Sequence, residues 1–156
     1  MITALDCYRK YGDPKTNKSF MTMWDIPSKY EINQIPARLY CNKDLIKPLE
    51  RAFQNLLDSK AINELCTWDG CYNVRVIRGY EKQYENLIKK GDAREANRLM
   101  SLHSWAVAID VNAFENGLGM TPKLSPLFVS CFTDAGFDWG GTFKRRDGMH
   151  FQLSEI

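Results

Sequence analysis

The chain has 156 residues, enough for one domain with a real core and too few for two comfortable ones. Its 44% hydrophobic and 26% charged residues are the make-up of a soluble globular protein, and no apolar run is long enough to cross a bilayer. A formal net charge of +2, with Lys and Arg interleaved among Asp and Glu, leaves no continuous basic stripe and argues against a nucleic-acid partner.

The opening stretch Met1 to Lys10 lacks a basic lead followed by an apolar run, so synthesis in the cytoplasm without a secretory signal is expected. Gly12-Asp13-Pro14, Pro27 and Pro36 punctuate residues 1–41, which read as an irregular arm with short extended pieces wrapping the domain. From the cap residue Asn42, the spacing of Leu45, Ile46, Leu49, Phe53, Leu56 and Leu57 predicts a helix, with Pro48 tolerated near its first turn. Thr67 to Gly70 reads as a turn, and Cys71 to Arg78, rich in β-branched and aromatic residues, as a strand.

Residues 80–100 are highly charged and interrupted by Gly91-Asp92, which predicts two short solvated helices, a cover or a mobile lid. Ala106 to Val111 is a short apolar run that suits a central strand delivering Asp110 to a site. Beyond Pro122 and Pro126, Leu127 to Phe132 suggests a helix, Trp139-Gly140-Gly141 a turn, and His150 to Leu153 a closing strand. The five cysteines, Cys7, Cys41, Cys66, Cys71 and Cys131, form an odd, scattered set and are expected as buried free thiols.

Only two histidines are present, His103 and His150. His103 precedes Asp110 by seven residues, too far along a straight strand to share one ion, so the chain must bend around Ser104-Trp105. Asp147 precedes His150 by three residues with Gly148 between, a spacing that lets both side chains reach one cavity. Two histidines and one carboxylate meet the demand of a catalytic zinc for three protein ligands and an open position. Taken singly, each residue reads as a packed histidine or a turn-capping Asp. Trp105, Phe137, Trp139 and Phe143 lie near these positions, and aromatic residues beside a short strand are more often core than groove.

Together, Ser101-Leu-His-Ser-Trp-Ala-Val-Ala-Ile-Asp110 and Asp147-Gly-Met-His-Phe151 resemble a specific family, the zinc D-Ala-D-Ala carboxypeptidases and related phage L-alanyl-D-glutamate endopeptidases. The family pattern S-x-H-x-x-G-x-A-x-D, followed downstream by an acidic residue, two residues and His, commonly after a Trp-Gly-Gly turn, is matched in order and spacing. A looser likeness covers Gly70 to Gly79 and Pro36 to Phe53. Two departures are visible: Ala106 where the pattern usually has Gly, and Asp147 where many relatives have Glu.

The resemblance implies a small α+β domain spanning 1–156, mainly an antiparallel sheet flanked by helices, with zinc in a cleft on the sheet. It implies Zn2+ held by His103, Asp110 and His150, and Asp147 as the general base that takes a proton from the attacking water and returns it to the leaving amine. Arg75, with Arg78 as the alternative in a neighbouring register, would contact the substrate's carbonyl or carboxylate. Ser101 would orient substrate or ligand, or else stabilise a turn. The expected activity is hydrolysis of an amide bond in bacterial peptidoglycan stem peptides, by a monomer acting on the cell wall after release. A phage-type endopeptidase is favoured over a carboxypeptidase removing terminal D-Ala, and a non-catalytic, metal-stabilised wall-binding or phage structural module is the alternative from another class.

Overall fold

The computed structural model of the protein covers residues 1–156 and folds into an α+β domain built on two antiparallel sheets. Helix α1 (Ala4–Tyr11) begins at a reciprocal cap in which the Thr3 hydroxyl accepts from the Asp6 backbone N–H while the Asp6 carboxylate accepts from the Thr3 N–H. Strands β1 (Met21–Asp25) and β2 (Arg38–Asn42) then pair as a two-stranded sheet. The expectation of an irregular 1–41 arm therefore needs correction: the segment holds a capped helix and a strand pair, because two orphan donors at the helix start are satisfied locally.

Asn42 caps a short 3-10 turn over Lys43–Leu45 that runs into α2 (Ile46–Asp58). Its Leu49, Ala52, Phe53 and Leu56 are fully buried, as the apolar spacing requires. β3 (Trp68–Gly70) follows where a turn was expected. Residues 71–78, expected as a strand, join no sheet beyond an isolated bridge between Val76 and Met100. Their backbone partners lie in the 99–104 segment: Asn73 N–H bonds to the His103 carbonyl, Ser101 N–H to that of Arg75, and Ile77 N–H to that of Leu99. The strand foreseen from composition is not formed, because the backbone hydrogen bonds of this segment go to holding one turn rather than to extending a ladder.

α3 (Glu81–Lys89) and α4 (Ala93–Asn97) are the two short helices expected around Gly91, and no residue of α3 is buried. β4 (Ala108–Val111), a short α5 (Ala113–Asn116), α6 (Pro126–Thr133), β5 (Phe137–Trp139) and β6 (His150–Leu153) complete the chain. The four-stranded sheet has the order β3-β4-β6-β5. On one face Phe151 stacks on Phe132 of α6 with centroids 4.4 Å apart, and Phe128, Phe137 and Trp139 close around them. Because side chains alternate along a strand, burying Phe151 on that face turns His150 and Gln152 to the other. Four of the five cysteines are buried and free as expected, whereas Cys66 is exposed. No helix is long and apolar enough to cross a membrane.

Candidate metal centre

His103 sits on a 3-10 turn, Leu102–Trp105, whose cap is Ser101. The Ser101 hydroxyl accepts from the His103 backbone N–H at 3.4 Å, so this serine shapes the turn that carries a candidate ligand. Trp105 anchors the turn: its ring is fully buried, packs edge-on against Tyr8 and donates from Nε1 to the Gly12 carbonyl. The turn ends at Ala106, which adopts a left-handed conformation with φ 50° and ψ 39°. This reversal brings the chain into β4 and carries Asp110 back beside His103, the bend that their seven-residue separation demanded. An alanine in that region costs about 1–2 kcal/mol relative to a right-handed one, which gives a physical reason for the glycine of the resembled pattern.

In the β4–β6 ladder Asp110 lies directly opposite His150. Three donor atoms converge there. His103 Nε2 and His150 Nδ1 lie 3.2 and 3.1 Å from Asp110 Oδ1 and 3.2 Å from each other. Neighbouring ligands around a tetrahedral ion with bonds of about 2.0–2.1 Å are separated by roughly 3.3 Å, so the donors are spaced as a single ion requires. The other nitrogen of His103, Nδ1, meets the Cys71 carbonyl at 2.8 Å. That oxygen can only accept, so Nδ1 carries the proton and Nε2 is left as a lone pair facing the cluster. Burial pushes the Asp110 carboxyl up, but the two imidazoles beside it outweigh that and hold the group well below the usual carboxylate range. Two nitrogen lone pairs and a carboxylate facing one another form a site for a cation.

The cluster opens into a cleft of about 670 Å³ whose lining includes Arg75, Arg78, Ser101, Phe143, Asp147 and Gln152. Asp147 is half-buried and its Oδ1 has no hydrogen-bond partner although water cannot reach it. Burial raises its carboxyl above the ordinary value, and the Asp110 charge works in the same direction against His150. A polar atom orphaned in this way is rare in a folded protein and fits a group kept free for chemistry. Arg75 is half-buried with its guanidinium bonded to the Val76 carbonyl, whereas Arg78 is exposed at the rim. The ends of the 80–100 segment, Tyr80 and Arg98 to Met100, reach the cleft wall.

Two contributors were not singled out as site residues from the sequence, one of them read only as part of a turn. Gln152, two residues beyond His150 on the same strand face, is 5% exposed and lines the cleft. Gly140 is the other: a Cβ there would lie 2.4 Å from the Asp147 carbonyl oxygen and 3.1 Å from His150 Cβ. The Trp139-Gly140-Gly141 turn is thus the floor on which Asp147 and His150 rest, and its carbonyl at Gly140 accepts from the Asp147 N–H. Gly140→Ala is expected to destabilise the fold by about 1–3 kcal/mol, as overpacking does, and to weaken metal binding. Urea unfolding and zinc titration of the variant check both.

The fold and cluster define a single α+β domain with a metal-competent centre at the base of a cleft. Residues 94–153, the segment that carries His103, Asp110, Asp147 and His150, match the model of a peptidase family described as D-alanyl-D-alanine carboxypeptidase. The chain is also similar to the crystal structure of Serratia marcescens L-Ala D-Glu endopeptidase ChiX, at 19% identity over 72% of this chain and 80% of that one. The TM-score of 0.34 makes that overlap too loose to bear on activity. No curated protein sequence gives a significant match.

Proposed function

We propose that the protein is a zinc-dependent peptidase that hydrolyses an amide bond in the peptidoglycan stem peptide, as a phage-type L-alanyl-D-glutamate endopeptidase. The observation that carries the reading is the unpartnered Asp147 carboxylate in the cleft lined by His103 and His150, the two imidazoles that converge with Asp110. A purely structural metal has no use for such a group. His103 Nε2, Asp110 Oδ1 and His150 Nδ1 would hold the ion; when bound, zinc polarises a carbonyl and lowers the pKa of water.

The chain's own residues supply the rest. Asp147, unpartnered in the cleft, accepts a proton from the attacking water and passes it to the leaving amine. Arg75 in the wall, with Arg78 at the rim, offers fixed positive charge to the oxygen or carboxylate of the substrate. Those same arginines favour a second reading, a carboxypeptidase gripping a free terminal carboxylate.

Purified peptidoglycan and a short D-Ala-D-Ala peptide, each incubated with zinc-loaded protein, separate the two once the new ends are identified by mass spectrometry. The endopeptidase reading expects new C-terminal L-Ala and N-terminal D-Glu from intact wall. Release of D-Ala alone would establish the second reading. A zinc-loaded protein that cuts neither substrate would leave a metal-stabilised binding module.

A further inference from the structure

Gln152 has no place in the ligand set, yet it is a nearly buried amide aimed at one of the ligands. Its Oε1 lies 3.2 Å from His150 Nε2, the ring nitrogen that does not face the cluster. Residues i and i+2 of a strand share a face, so β6 presents His150 and Gln152 side by side toward the cleft. From this geometry we infer that Gln152 is a positioning residue that fixes the tautomer and ring orientation of His150, an inference resting on the reading that the cluster binds a metal.

The argument turns on which end of the amide meets the ring. A histidine that offers Nδ1 as a lone pair must carry its proton on Nε2, and that proton needs an acceptor. The carbonyl end of Gln152 accepts it; the NH2 end would instead donate to Nε2 and force the proton onto Nδ1, closing the ring to a metal. The neighbours of Gln152 in the sheet choose between these ends. Across β4 stands Ala108, with no polar side chain, and across β5 stands Asp138.

Directly opposite residues in an antiparallel pair have Cβ atoms about 4.5–5.5 Å apart, so Asp138 is the immediate polar neighbour of Gln152. Its Oδ2 is buried without a hydrogen-bond partner. No hydrogen bond joins the two, but turning the amide over would set its oxygen rather than its NH2 on the side of this acceptor, which favours leaving Oε1 toward His150. His103 is fixed in the mirror sense, by a backbone carbonyl that no substitution can flip. The two imidazoles are therefore held by different devices, one of main chain and one of side chain, and only the second is open to mutation.

The test compares Gln152→Leu, similar in reach but without an acceptor, with Gln152→Glu, which keeps one. Zinc affinity, measured by competition with a chromophoric chelator, is expected to fall about 10–100-fold in Gln152→Leu, the range typical of lost outer-shell partners, and to be kept in Gln152→Glu. Long-range 1H–15N spectra of the zinc-loaded wild type are expected to show His150 protonated at Nε2, a readout that stands even if Gln152→Leu does not fold. A Gln152→Leu protein that binds zinc as tightly as wild type, or a His150 proton on Nδ1, overturns the inference. A wild type that takes up no zinc overturns the metal reading beneath it, so the two failures are distinguishable.

Discussion

Asp147→Asn is expected to lower amide hydrolysis by about 10²–10⁴-fold, the usual contribution of a positioned general base, while the zinc content stays that of the wild type. The second half follows from geometry, because the converging donors are His103, Asp110 and His150. A general base acts when deprotonated, and burial raises the Asp147 carboxyl above its ordinary value. The wild-type rate is therefore expected to climb with pH as Asp147 loses its proton. The same shift has a consequence for stability in the chelator-treated protein. A group that binds its proton more tightly folded than unfolded favours the fold fully below the unfolded value, about 3.9 for Asp, and loses that contribution as pH rises through the folded value. At neutral pH the ionised, unpartnered carboxylate is then a liability, and Asp147→Asn is expected to raise Tm in the metal-free state. Calorimetry at pH 7 beside a peptidoglycan assay tests both; an active variant with unchanged Tm would remove Asp147 from the role of base.

How far the site could be read in advance depended on the range of the interactions involved. His103, Asp110, Asp147 and His150 stand in a spaced pattern that marks them together, and the structure brings His103, Asp110 and His150 into one cluster and lines one cleft with His103, Asp147 and His150. β4 and β6 were legible because a run such as Ala-Val-Ala-Ile has few stable places other than a covered strand. α1 was not, because Gly12-Asp13-Pro14 drew the reading toward an irregular arm while the Thr3 and Asp6 cap, local and visible, was passed over. Residues 71–78 have the composition of a strand, but their hydrogen bonds go to the turn at 99–104, a pairing about thirty residues distant that no local pattern encodes. The acceptor for His103 Nδ1 is likewise a main-chain carbonyl, at Cys71, and carries no signature in residue type. Gln152 had a signal, its two-residue offset from His150, which acquires meaning only once 150–153 is known to be a strand with Phe151 turned to the core.

Zinc at about one hundred times its dissociation constant stabilises a protein that binds it only when folded by about 2.7 kcal/mol. For a chain of this size each kcal/mol is worth roughly 2–4 °C, so the wild type is expected to gain about 5–11 °C in Tm under those conditions. Asp110→Ala should abolish that gain. The carboxylate is the one charged donor of the cluster and the hub on which both imidazoles converge, at 3.2 and 3.1 Å. Its loss removes a ligand and also leaves His103, 3% exposed, with Nε2 facing no carboxylate. Asp147→Asn supplies the contrast, since it should keep the full zinc-dependent gain although it has lost hydrolysis. A shared loss of the zinc response in both variants would mean that Asp147 is a ligand rather than a base, and differential scanning fluorimetry with and without zinc decides between them.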